Sequence, residues 1–176
     1  MIVGFAGLAG SGKNEAARGL AYPSIAFADS LKEMILRLDP VLYESDGKVV
    51  RLKEVVDQFG WDKSKREVPE VRRLLQELGM ATRELSPDIF VDNLSSFIEL
   101  WLAEGNKDLC ITDVRFPNEL ENVRWWGGKV IWIERPGVEN LGGPTENSIT
   151  AKDCDYIIIN DGTVAQLHAN VRDLTF

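Results

Sequence analysis

Seven residues near the start of the chain, Gly-Leu-Ala-Gly-Ser-Gly-Lys over positions 7–13, narrow the folds open to it more than any other feature. They match the pattern G-x-x-x-x-G-K, with an apolar run from Ile2 to Ala6 before them and a helix-forming stretch from Lys13 to Leu20 after them. A strand that turns through glycines into a helix points backbone N–H groups into a concavity, and the helix N-terminus adds positive potential. Gly7, Gly10 and Gly12 would let the backbone approach a phosphate, and Lys13 would reach the β- and γ-phosphates of ATP. The residue after such a lysine is normally Ser or Thr, whose hydroxyl holds Mg²⁺. Here it is Asn14, followed by Glu15. An amide oxygen is an acceptable ligand for a hard cation, directly or through a bound water, so Asn14 is a candidate metal ligand.

The rest of the chain alternates short apolar runs with helical stretches. Residues 24–27, 108–112, 129–134 and 156–159 read as further strands, and residues 31–38, 118–126 and 164–174 as helices, the first capped by Asp29 or Ser30. Residues 49–102 read as mostly helical, broken near 60–69 and at Ser86-Pro87. Residues 135–150, rich in Gly, Pro, Asn and Thr, read as a loop or lid. The pattern predicts an α/β fold: one domain, with a five-stranded parallel sheet flanked by helices, a helical insertion over about 40–105 and a lid over about 135–150. Ligands of such sheets bind beyond the carboxyl ends of the strands.

Composition excludes several classes. At 176 residues, with 44% hydrophobic and 27% charged residues, the chain is a globular domain with enough length for a core. No apolar run is long enough to span a bilayer, and the apolar start has no basic leader, so it reads as a strand. A net charge of −8 argues against a polymeric nucleic acid partner but leaves room for a small phosphorylated ligand in a local cationic pocket. Cys110 and Cys154 make no disulfide framework and fit a reducing cytoplasm. The single histidine, His168, lies on the last helix and reads as a packing or surface residue.

Further candidates fall at strand ends. Asp113, closing the strand at 108–112, would hold Mg²⁺, and Arg115 would clamp a phosphate; the alternative is a capping, salt-bridging loop. Asp29 and Lys32 follow the second strand. Arg72 and Gln76, four apart, share a helix face, with Arg73 turned elsewhere and Arg83 near that helix's end. Arg135 opens the lid and could close over a transferring phosphoryl group. Trp101, Trp125, Trp126 and Trp132 read as core or interface, while Phe90 and Trp61 could contact a base.

Five stretches in order resemble the bacteriophage-type deoxynucleoside monophosphate kinases. They are Phe-Ala-Asp-Ser-Leu-Lys at 27–32, Leu-Gln-Glu-Leu-Gly at 75–79 with Arg83 and Phe-Val-Asp at 90–92, Thr-Asp-Val-Arg-Phe-Pro-Asn-Glu at 112–119, residues 127–137, and Asp-Tyr-Ile-Ile-Ile-Asn-Asp-Gly at 155–162. The resemblance implies transfer of the γ-phosphoryl of ATP to a deoxynucleoside monophosphate, with Mg²⁺. It implies that the loop from Gly10 through Ser11, Gly12 and Lys13 to Asn14 binds ATP phosphates beside Glu15, and that Asn160 lies near the adenine. It assigns Asp29, Lys32, Arg72, Gln76, Arg83, Asp92 and Arg115 to the monophosphate, Asp113 to Mg²⁺ and Arg135 to the lid. Pro-Thr-Glu at 144–146 departs from the family's usual lid segment. The resemblance also implies a phage source, action in the host cytoplasm and a possible homodimer. Two other readings compete: another small-molecule P-loop kinase, similar to dephospho-coenzyme A kinase, with Asp29 as base for a hydroxyl acceptor, and a non-catalytic nucleotide-binding regulator.

Overall fold

A computed structural model describes residues 1–43, 47–140, 142 and 147–174. In chain order the elements are β1 (Ile2–Ala6), α1 (Lys13–Leu20), β2 (Ser24–Ile25), α2 (Asp29–Leu38), β3 (Val41–Tyr43), β4 (Val49–Arg51), α3 (Leu52–Glu67), α4 (Pro69–Leu85), α5 (Ile89–Ala103), β5 (Leu109–Ile111), α6 (Pro117–Trp125), β6 (Lys129–Glu134), β7 (Tyr156–Ile159) and α7 (Val164–Arg172). They form two compact units: a sheet-bearing unit of Met1–Phe27 and Val91–Phe176, and a helical unit of Ala28–Phe90.

The sheet-bearing unit carries a five-stranded sheet in the order β2-β5-β1-β6-β7, every neighbouring pair parallel. β1 is central and all five of its residues are buried, which explains an apolar run with no polar alternation. Alternate residues serve opposite faces. Val3, Phe5, Ile131, Ile133 and Ile158 bury against Ala16 and Ala17 of α1 and Leu167 and Val171 of α7. On the other face Gly4 admits α6: a Cβ there would lie 3.0 Å from Val114 and 3.3 Å from Val123. Burying each large apolar side chain contributes about 1.5–3 kcal/mol. Two of the expected strands, 24–27 and 108–112, are shorter in the structure: β2 ends at Ile25 and β5 covers Leu109–Ile111, although Phe27 stays buried.

In the helical unit, Ile35, Leu42, Leu52, Val55, Val56, Val68 and Val71 form the core. α3 kinks at Gly60 (φ 69°, ψ 163°), where the Ser64 hydroxyl donates to the Val55 and Gly60 carbonyls. The expected helix over residues 49–102 needs correction at its start. Val49–Arg51 pairs antiparallel with Val41–Tyr43 as a hairpin, and α3 begins only at Leu52. Asp39 ends α2 and its carboxylate accepts the Lys53 N–H, so the α3 terminus is capped from across the hairpin. The helical unit itself spans Ala28–Phe90. Ile35 of α2 packs into the same core as α3 and α4, while α5 joins the sheet-bearing unit from Val91 onward. α2 begins at Asp29, so its N-cap position falls to Ala28 rather than to Asp29 or Ser30 as expected.

Candidate active site

The turn from β1 to α1 is built on glycines in left-handed backbone. Gly7 (φ 134°) could not carry a side chain, because its Cβ would lie 2.3 Å from the Ile133 carbonyl oxygen. Gly12 (φ 102°) is the N-cap of α1, and a Cβ there would lie 2.5 Å from Asn160 Nδ2. Gly10 (φ 83°) has no heavy atom within 4 Å of such a Cβ, so it is required for its backbone angle alone. Ser11 is 1% exposed, and its hydroxyl has no hydrogen-bond partner among the described residues. The Lys13 ammonium donates to the Gly7 and Leu8 carbonyls at 2.6 and 2.7 Å, so it lies over its own loop.

Asn14 is exposed on the first turn of α1. Glu15 turns to the protein instead, bonding Arg18 at 2.7 Å and His168 of α7 at 2.9 Å. Arg18 first, and His168 with it, hold the Glu15 carboxyl below its ordinary range. Glu15 and His168 therefore tie α1 to α7. Cys110 is fully buried, and burial pushes its thiol up to about 12, so it is an inert core residue.

The turn from β5 to α6 carries the second group of candidates. Asp113 Oδ1 accepts the Phe27 N–H at 2.7 Å, joining the ends of β5 and β2. Phe27 stacks on Trp126, ring centroids 6.5 Å apart, so Trp126 packs as expected, whereas Trp125 is 84% exposed. Arg115 is half-buried and Arg135, just past β6, is exposed. Neither guanidinium makes a hydrogen bond or ion pair with any described residue. Glu119, not singled out from the sequence, is 1% exposed and accepts the N–H groups of Arg115 at 2.7 Å and Phe116 at 3.1 Å. The signal for it was present: a Glu three residues after the helix N-cap, with Pro117 at the first helical position.

Asn160 follows β7. Its backbone N–H donates to Glu134 O at 2.7 Å and its side-chain amide to Ser11 O at 2.8 Å. It borders a cavity of about 360 Å³ with Ile159, Asp161, Gly162 and Gln166. The loop, Asp113, Arg115, Arg135 and Asn160 thus all follow the carboxyl ends of the core strands, where the sheet geometry directs ligands. The segment 144–146 lies outside the described residues.

In the helical unit, Asp29 and Lys32 pair at 2.7 Å on α2. Arg72, Gln76 and Arg83 lie on α4, with Arg72 and Arg83 half-buried and Gln76 exposed. Gly79 of α4 sits against α2, where a Cβ would meet Leu31 at 3.2 Å. The Arg83 guanidinium lies 4.4 Å over the Phe90 ring and reaches the Gly79 carbonyl at 3.4 Å. That corrects the expectation for Phe90: at 4% exposure, under Arg83, it has no face left for a base. Trp61 packs on the helical core. Arg73 is held at the surface by Glu70 and Glu77. Asp92 is exposed on α5.

A parallel sheet whose central strand runs through G-x-x-x-x-G-K into a helix defines the class: an α/β P-loop protein that binds nucleotide phosphates. Within that class the chain belongs to the deoxynucleotide monophosphate kinase family, whose profile matches residues 13–171. It is 28% identical over 193 aligned positions to a protein of Acanthamoeba polyphaga mimivirus provisionally named a deoxynucleotide monophosphate kinase, covering 97% of this chain and 94% of that protein. It is 28% identical over 113 positions to the deoxynucleotide monophosphate kinase of Enterobacteria phage T4, covering 58% of this chain and 44% of that one. Among solved structures, dephospho-CoA kinase from Campylobacter jejuni aligns at TM-score 0.45 and 16% identity over 97% of this chain and 93% of its own. Shikimate kinase from Aquifex aeolicus aligns at 0.44 and 11% over 98% and 94%.

Proposed function

We propose that the protein transfers the γ-phosphoryl group of ATP to a deoxynucleoside monophosphate, yielding the diphosphate for DNA precursor synthesis. The observation that carries this reading is Lys13 on a glycine-built loop at the end of the central strand, in a chain of this family. The acceptor is a phosphate oxygen whose second pKa is about 6, so it is already largely anionic at neutral pH and needs no general base. The work left to the protein is alignment and charge neutralisation.

Lys13 exchanges the Gly7 and Leu8 carbonyls for the β- and γ-phosphate oxygens. Arg115 and Arg135, whose guanidinium groups are uncommitted among the described residues, neutralise the transferring group from the ends of β5 and β6. Asp29, Lys32, Arg72, Gln76, Arg83 and Asp92 are the candidates for holding the acceptor. One carboxylate and one amide suit Mg²⁺, which is usually bound through one or two protein oxygens plus phosphates. Asp113 and Asn14 would hold it, and it would neutralise charge on the β- and γ-oxygens. Among the described residues no helix is long and apolar enough to cross a membrane.

A coupled ADP-release assay with ATP, Mg²⁺, the four deoxynucleoside monophosphates and their ribose counterparts tests the reading. Turnover with at least one deoxy substrate is expected. Silence across the panel with ATP binding intact would reject it.

A further inference from the structure

The phosphate-binding loop is not held by its own residues alone. Asn160, 149 positions away in sequence, is 9% exposed and gives its side-chain amide to the Ser11 carbonyl at 2.8 Å. Its backbone is fixed in turn by the 2.7 Å bond from its N–H to Glu134 O, which continues the β6–β7 ladder. In a trans peptide the carbonyl and the following N–H point in opposite directions, and the chain has no cis peptide bond among the described residues. Anchoring Ser11 O on Asn160 therefore turns the Gly12 N–H away from Asn160. That N–H bonds no described protein group. The fit is reciprocal: a Cβ on Gly12 would lie 2.5 Å from the Asn160 amide nitrogen, so glycine at 12 leaves the room that asparagine at 160 fills.

The geometry assigns Asn160 a positioning role: its side-chain amide sets the orientation of the Ser11–Gly12 peptide, and so aims a loop N–H at the phosphates of the bound nucleotide. Asn160 acts on the nucleotide through the loop rather than by touching the base. This inference rests on the reading that the loop binds nucleotide phosphates.

The test uses two ligands, ADP and inorganic tripolyphosphate, the second having no base or sugar. Calorimetric affinities are measured for the wild type, Asn160→Ala and Asn160→Asp. Both variants should bind tripolyphosphate about 10-fold more weakly or worse, and ADP by a similar factor, the usual consequence of losing a buried hydrogen bond that shapes a site. In the ligand-free protein the Gly12 amide resonance should shift in Asn160→Ala while that of Gly4, inside β1, stays in place. Should Asn160→Ala fail to fold, Asn160→Asp carries the test, since it keeps the shape and removes both N–H donors. Unchanged tripolyphosphate affinity overturns the inference, whether or not ADP binding weakens. Loss confined to ADP would assign Asn160 to the base. A wild type that binds neither ligand sinks the phosphate-loop reading and this inference with it, whereas a wild type that binds both, with unaffected variants, sinks this inference alone.

Discussion

The turns after β1 and β5 both convert a parallel strand into a helix at the same edge of the sheet, with opposite chemistry. After β1 the backbone runs through Gly7, Gly10 and Gly12, all at positive φ, and is tied down at a carbonyl by Asn160. After β5 no glycine appears. Pro117 opens α6, and the buried Glu119 carboxylate takes the N–H groups of Arg115 and Phe116. A turn held at its carbonyls keeps N–H groups for an anion, while a turn whose N–H groups are held by its own carboxylate has filled that place itself. In the proposed reaction the β5–α6 turn would therefore meet phosphate with a side chain, and Arg115 is the one it would offer. On that proposal the two turns would divide the chemistry into backbone recognition on one side and side-chain charge on the other.

Lys13→Ala should break the first turn's function most severely. A fall in kcat/KM of at least about 10³-fold is expected from removing a cation aimed at the transferring phosphates. The melting temperature should move little, because the ammonium is only part-buried and its bonds to Gly7 and Leu8 lie within one loop. Near-normal turnover in that variant would remove the loop from the mechanism.

The glycines sharpen the comparison next. Gly12→Ala meets both a positive φ and the Asn160 amide, so ADP affinity should fall about 100-fold or more. Gly10→Ala meets only the backbone penalty of about 1–2 kcal/mol, a loss nearer 10-fold. Equal losses in titration calorimetry would mean that contact with Asn160 contributes nothing at Gly12.

For the second turn, Glu119→Ala should lower stability in denaturant unfolding by about 2–3 kcal/mol, since it strands two N–H groups beside a buried site. Glu119→Gln keeps one acceptor oxygen and should recover about half of that. A cost below about 0.5 kcal/mol for the alanine variant would show the turn is held by other contacts.

The smallest effect lies at the opposite edge of the sheet. Burial pushes the Asp155 carboxyl up, but the Val130 N–H, Arg124 and Lys129 outweigh it and leave it below the ordinary range. A depressed folded value means its contribution is complete above the unfolded value of about 3.9 and disappears as pH falls through the folded one. Asp155→Asn should cost about 1 kcal/mol at pH 7, progressively less below pH 4, and leave kcat unchanged. A gap between the two proteins that widens in acid would reverse the assignment.

Much of the first turn was legible in the sequence and less of the second. Glycine spacing, a preceding apolar run and a following helix are all local, so Gly7 to Lys13 could be read directly. Asp113 and Arg115 could be placed at a strand end for the same reason. Glu119 was overlooked because a glutamate in a helix's first turn usually faces water, whereas this one is 1% exposed and turned onto the N–H groups of Arg115 and Phe116. The β3–β4 hairpin was missed because three-residue strands are too short to show a period of two against flanking helices. Phe90 was open to a base until α4 laid Arg83 over it.

What the sequence determined by itself was the α/β order, the phosphate loop and the family, because strand and helix periods, glycine's access to positive φ and short motifs are properties of adjacent residues. What the tertiary structure decided was which distant groups meet. Asp113 joins Phe27 across 86 positions, Glu15 meets His168 across 153, and Asn160 reaches Ser11 across 149. Those contacts depend on strand order and register, which arise only when the whole sheet closes over a shared core and no local preference can specify them.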